Sequence, residues 1–280
     1  MTDNGYKGSD ASLHYHLFES SAEFAGACDN PGVRRFGNDS RASWAGGTFD
    51  EALAFARHGD MSYVSEAERL VEKIDSEIDT EGVRPTWEPS VVGSFPLVPA
   101  FLAGTPEAML ARTDVPDARG DLDLWVELGV SACVSQENMR RRGVMVLAAA
   151  MALSRVRNVR VTCFTAFKNN NMVIPLGTPL DVSEACGMIT QTSVTRRLAY
   201  DYSDSITGDK TGIPWAKWGV HGGDPETYRW PLVKYAGMPR DAELITMQRL
   251  GDWGEMSDEE LVDTINKMLR RIAGKGEADQ

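Results

Sequence analysis

In the C-terminal half of the chain, short runs of almost continuous apolar character alternate with longer runs at helical spacing. Residues 122–130 and 159–167 are rich in β-branched and aromatic side chains, as strands are. Between them, residues 136–154 carry Met139, Val144, Leu147 and Met151 at helical intervals. The spacing predicts strand, long helix, strand. Strands this apolar are not half exposed, so the pattern predicts a parallel sheet covered by helices. Asn169–Asn170–Asn171 reads as a turn, residues 172–176 as another short strand and 181–202 as a helix weakened by Gly187 and several threonines. An aromatic insert over 203–240 comes next, then a strand over 242–250. Ser257 and Glu260 have capping-box spacing ahead of a last helix lined by Leu261, Ile265, Met268 and Ile272. The expected fold is α/β: an open, mostly parallel sheet flanked by helices.

The N-terminal half is patterned differently, and is expected to be a mixed α+β extension. Residues 1–40 are rich in Gly, Ser, Asn and Asp and read as a mostly irregular arm. Within it, His14–Tyr15–His16 would put both imidazoles on one face of a strand. Thr48 and Glu51 form a second capping-box pair, opening a short helix that Gly59 closes. Residues 64–78 follow as a helix with Val64, Ala67, Val71, Ile74 and Ile78 on one stripe. Six prolines punctuate 83–120, where residues 106–112 read as a short helix and 114–120 as a boundary. The organisation expected is an arm (1–40), a helical and turn-rich region packed on the core (41–120), the α/β domain (121–273) and a flexible tail (274–280).

Composition changes this picture little. The chain has 280 residues, of which 42% are apolar and 25% charged, enough for a full core without staples. The longest apolar run, 144–153, is too short to cross a membrane, and residues 1–10 carry no signal core. Four cysteines without C-x-x-C spacing disfavour zinc and fit reduced thiols in a cytoplasm. Charge is more informative. The net value is −12; residues 60–82 hold eight acids against two bases, whereas 138–170 hold seven bases and no acid. An acidic chain weighs against nucleic acid as the partner. The run Arg140–Arg141–Arg142 offers a contact to phosphate or to an acidic partner, against the plainer reading of a solvated helix end.

Ligands of open α/β sheets gather beyond the carboxyl ends of the strands. Three expected strand-end loops carry suitable residues: Glu127–Leu128–Gly129–Val130–Ser131, Leu176–Gly177–Thr178–Pro179–Leu180 and Arg249–Leu250–Gly251–Asp252–Trp253–Gly254. In these loops residues 121–273 resemble von Willebrand factor A (VWA) domains. That family places an Asp-x-Ser-x-Ser motif after the first strand, a Gly-Thr-Pro-Leu-like loop, and an Asp-Gly turn after a later strand. The resemblance implies a divalent cation, magnesium by its oxygen ligands, with an open position that captures an acidic group on a partner. Matched position by position, Glu127, Ser131, Thr178 and Asp252 would be the metal ligands. The pattern is degenerate: Glu127 is longer than Asp, Gly129 stands where the first Ser would ligate, and a Gly precedes Asp252 rather than following it. Turn and cap residues of an ordinary α/β fold would look the same.

A second resemblance lies in Trp44-x-Gly46–Gly47–Thr48-x-x-Glu51–Ala52–Leu53, Gly104–Thr105–Pro106–Glu107–Ala108–Met109 and Arg142–Gly143–Val144. These are similar to an uncharacterised family of tailed-phage proteins, which implies a viral or prophage origin and a bacterial host cytoplasm or a virion, but no reaction. Other signatures fail: Gly208–Asp209–Lys210–Thr211–Gly212 lacks P-loop spacing, and no nucleophile elbow, zincin helix or dinucleotide loop is present. No catalytic residue is nominated. The insert holds Trp215, Trp218 and Trp230 with Arg229 and Lys234. Exposed, these are partner-binding hot spots or base-stacking platforms; buried, they pin the loop. The expectation is a non-enzymatic interaction module of a phage, used in assembly or host engagement. It would contact a phage or host protein through the crevice, with Trp215, Trp218, Arg229, Trp230, Arg140 and Arg141 alongside. The alternatives are a metal-dependent enzyme acting on phosphate esters and a nucleic-acid-handling protein.

Overall fold

A computed structural model describes residues 3–7, 12–33, 42–74, 83–116, 121–129, 134–155, 158–165, 170–207, 226–246 and 257–274. Six strands form the main sheet: β1 (Asp3–Lys7), β2 (Ser12–Leu17), β6 (Leu122–Glu127), β7 (Val159–Phe164), β8 (Asn170–Pro175) and β9 (Glu243–Ile245). Their order is β1-β2-β8-β7-β6-β9, with β2–β8, β7–β6 and β6–β9 parallel, and β1–β2 and β8–β7 antiparallel. The fold is therefore α/β with a mostly parallel sheet flanked by helices.

The twofold period of a strand divides the sheet's side chains between two faces. Leu124, Val126, Val161, Cys163, Met172 and Ile174 enter one apolar cluster; Trp125, Phe164, Val173 and Leu244 enter another. The first face is packed by α1 (Ser21–Cys28), α3 (Phe49–His58), α4 (Val64–Val71), α6 (Gln136–Ser154), α7 (Val182–Thr190), a π-helix (Val194–Ala199), α8 (Tyr200–Thr207) and α10 (Asp258–Gly274). The second is packed by α9 (Glu226–Tyr235) and the turn after it, through Leu232, Ala236 and Met238. A four-residue helix, α2 (Ala42–Ala45), precedes α3. Residues 83–116 form a small sheet of their own: β3 (Val83–Ser90), β4 (Phe95–Pro96) and β5 (Met109–Pro116) in the order β3-β5-β4, all antiparallel, with α5 (Val98–Leu102) between β4 and β5.

The capping boxes form as their spacing requires. Thr48 accepts from the Glu51 amide while Glu51 accepts from the Thr48 amide, and Ser257 and Glu260 pair in the same way. Gly59 ends α3 at φ +73°, with Ser183 backbone where a side chain would lie.

Several expectations change: Asn170 and Asn171 are the first residues of β8 rather than turn, and α4 ends at Val71, short of the expected 78. The arm is not irregular: β1 and β2 form a hairpin that joins the main sheet, and Phe18, Phe24, Ala25 and Cys28 are core residues. Alternation in Leu13, Tyr15 and Leu17 suffices for a strand once β8 supplies a partner. Residues 109–112 are strand rather than helix, because β5 pairs with both β3 and β4. The helix expected over 181–202 breaks at Gln191, which has extended backbone, and resumes through the π-helix. The insert is helical at both ends, as α8 and as α9 with Pro231 inside it; its middle, 208–225, lies outside the described residues.

Candidate functional site

The carboxyl ends of β6, β7 and β9 converge, as an α/β fold requires. Glu127 closes β6 opposite Phe164, the Leu128 amide donates to Phe164 O, and Thr165 and Thr246 follow β7 and β9 directly. All of these are buried, and so are Arg142, Thr192, Ser193, Thr195, Arg196, Arg197 and Asp201. Among the described residues, Glu127, Arg142, Thr165, Thr195, Arg196 and Thr246 gather at this end of the sheet.

Three arginines organise this end through backbone carbonyls. Arg142 donates from Nη2 to Glu127 O, and Arg196 from Nη2 to Val134 O. Those carbonyls bracket the loop between β6 and α6. Arg196 Nη1 also donates to Trp44 O at 2.6 Å, and Arg197 Nε to Gly47 O at 3.2 Å. Thr195 Oγ1 donates to Leu128 O at 3.3 Å. The Trp44-x-Gly46–Gly47 motif, at the turn between α2 and α3, is therefore stitched to the β6–α6 strand-end loop by the π-helix. Trp44 provides a platform: the Arg196 guanidinium lies 4.5 Å above its ring, and Tyr200 packs beside it at 6.2 Å. Every residue of the π-helix is buried, Thr195, Arg196 and Arg197 among them.

Burial dominates the electrostatics. It pulls the Arg142 guanidinium down to about 10, against the opposing field of Glu127. It lowers Arg196, opposed by Tyr200, and pushes the Tyr200 phenol up to about 12. Both arginines stay charged at neutral pH. A buried guanidinium hydrogen-bonded to backbone carbonyls holds geometry.

A family model described as a domain of unknown function, DUF7192, matches residues 8–270. The chain belongs to the DUF7192 family. No curated protein matches it, and no solved structure does. The DUF7192 match takes in β2, the helices of residues 21–71, the small sheet and the strand-end cluster alike, in keeping with one apolar core that draws on residues 18–71 and 122–269.

Within this DUF7192 chain, the register separates the expected metal ligands. Glu127 lies at the carboxyl end of β6. Because β8 runs antiparallel to β7, Gly177 and Thr178 emerge at the other end: the Leu176 amide donates to Val161 O, and Val161 is level with Leu124. That level is three residues, about 10 Å, from Glu127, and exposed Thr178, with its cis bond to Pro179, lies farther out. Thr178 and Glu127 cannot share one cation. Ser131 and Asp252 lie outside the described residues. The described donors do not fit magnesium: the Glu127 carboxylate shares its end of the sheet with the buried Arg142 cation, and Gly129 offers no side chain. Among the described residues, no three His, Cys, Asp or Glu side chains are grouped to hold a metal.

The partner-binding candidates are similarly dispersed. Arg140 joins α6 to α4, pairing with Glu137 and with Glu66 at 2.6 Å, and lies 5.0 Å over the Tyr63 ring. Arg141 is half-buried beside it, and Arg142 points into the core. Arg229 donates to Arg240 O and Ala242 O, bracing the approach to β9. Trp230 is exposed, with Lys234 4.7 Å over its ring and Tyr235 edge-on. Trp215 and Trp218 lie outside the described residues.

Proposed function

We propose that this chain is a non-enzymatic protein-interaction module on a VWA-like scaffold, used in assembly or host engagement by a phage, in the host cytoplasm or on the virion. The strand–helix–strand order of β6, α6 and β7, and the polar cluster at the strand ends, support the scaffold. The observation that carries the interaction reading lies elsewhere. Val91, Val92, Phe95, Val98, Phe101 and Leu102 are each between 55% and 79% exposed, and they account for six of the nine large apolar side chains exposed among the described residues. Scattered apolar residues mean little, but a concentration on one excursion marks a contact surface. Among the described residues, no helix is long and apolar enough to cross a membrane, so this surface is not explained by a spanning segment.

The test compares wild type with the double variant Phe101→Asp and Leu102→Asp in affinity capture from host and infected-cell extracts. Loss of specific partners in the variant, with unchanged thermal unfolding, supports the reading. An identical captured set from both proteins refutes it.

A further inference from the structure

The apolar excursion is a rigid, uncharged shape. It leaves β3 at Ser90, turns through Val91 and Val92, and is fastened to β5 by Ser94 N to Leu110 O and Leu97 N to Ala108 O, each 2.8 Å. Gly93 is pressed against β5 so closely that a Cβ would lie 2.2 Å from Leu110 O. Pro96 fixes the backbone ahead of α5 and Pro99 its first turn, and Thr105 N closes the segment onto Ala100 O. On α5, Val98, Phe101 and Leu102 stand at i, i+3 and i+4, one stripe, and no residue of the helix is buried. Such preorganisation lowers the ordering cost of binding.

We infer that the occupant of this face is a second copy of the same chain, packed stripe against stripe about a twofold axis; this rests on the interaction-module reading. Two features of the surface select that partner. The first is charge. From Pro89 to Pro106 no residue is charged, in a chain of net charge −12. Two copies repel over most of their surfaces, and an uncharged face is complementary to itself without any pairing of opposite charges. A basic partner would instead be drawn to the acidic faces. The second is area. The six exposed residues together offer on the order of 700 Å² of accessible surface, near the roughly 800 Å² a side of a standard interface. Edge-to-edge strand pairing is disfavoured, because Pro85 and Pro89 remove donors from β3. The copies therefore meet through side chains.

Sedimentation velocity on the full chain, from about 1 to 100 μM in low and high salt, tests this. The wild type is expected to pass from monomer to dimer with concentration, and to dimerise more tightly at high salt as the acidic surfaces are screened. The double variant Phe101→Asp and Leu102→Asp is expected to weaken the dimer at least about 100-fold. Met61→Asp, at an exposed apolar residue outside the excursion, is expected to leave it intact. A wild type that stays monomeric throughout overturns the inference, as does a dimer that survives the double variant or loosens with salt. If the wild type is monomeric but the double variant still loses its captured partners, self-association falls and the interaction module stands. If the variant instead loses binding to zwitterionic phosphatidylcholine vesicles and nothing else, both fall. If nothing changes, both fall again.

Discussion

Substituting Gly143 with Ala sets two known effects against each other at one atom. Gly143 lies inside α6, where alanine is ordinarily favoured by about 1 kcal/mol because glycine loses more backbone freedom on folding. Here the added Cβ would lie 2.5 Å from Ile189 O and 2.6 Å from Thr190 Cα. Both atoms are backbone of α7 and cannot swing aside, so α6 and α7 must separate through the middle of the core. Overpacking of this kind costs about 1–3 kcal/mol, and the rigid contact places it at the upper end. The net expectation is a loss of about 2 kcal/mol, which for a chain of this size lowers Tm by roughly 4–8 °C. Gly26, in α1, provides the control: nothing lies within 4 Å of its Cβ position, so Gly26→Ala should stabilise by about 0.5–1 kcal/mol. Thermal and urea unfolding of both variants gives the answer. A Gly143→Ala protein as stable as Gly26→Ala would refute the close α6–α7 packing and the placement of Arg142 that depends on it.

Four further outcomes are expected. Arg142→Ala should destabilise by about 3 kcal/mol in urea titration, because it removes the buried cation beside Glu127, and Arg142→Lys should not restore the hydrogen bond to Glu127 O. Thr48→Ala should cost about 1 kcal/mol with recovery in Thr48→Ser; the Thr48 amide holds the Glu51 carboxyl below its ordinary value, so this support is present above the usual carboxylate range and lost as pH falls, and Glu51→Gln should flatten the acid limb. Burial raises the Tyr200 phenol from 10 to about 12, so stability should fall as pH rises through that window, and Tyr200→Phe should remove part of the fall seen in alkaline unfolding curves. Burial also raises the thiols of Cys28, Cys163 and Cys186, so a thiol reagent at pH 8 should leave these three unmodified in the native protein and label them in denaturant.

Much of the architecture was written in local pattern. The α6 bounds and both capping boxes follow from spacing, because each is decided by contacts within a few residues, and β6 and β7 were legible in their continuous apolar runs. What failed depended on partners distant in sequence. Leu13, Tyr15 and Leu17 become a strand because β8 lies alongside, more than 150 residues away. The site was half legible. Glu127 was found from its position after an apolar strand, but Thr178 was assigned to the wrong end of the sheet. The corrective signal was present: only a few residues separate residue 165 from β8, whereas a parallel return needs a dozen or more. A hairpin reverses direction, and the hydroxyls that reach the crevice end are Thr192, Ser193 and Thr195, one helix later. Arg196 and Arg197 gave no signal, since two adjacent arginines in a helix read as solvent-facing, whereas this helix is buried at every residue.

The pairing of β2 with β8 also sets a timetable for biosynthesis. β2 leaves the ribosome well ahead of its partner, which is made more than 150 residues later, about 10–30 s at ordinary rates of elongation. During that interval the early hairpin has only itself to pair with, and the nascent chain carries an open strand edge. The helices of residues 21–71 are translated in the same interval with their apolar stripes awaiting the sheet. Completion of the fold is therefore held until β8 emerges, so strands made well before it are among the last to be secured.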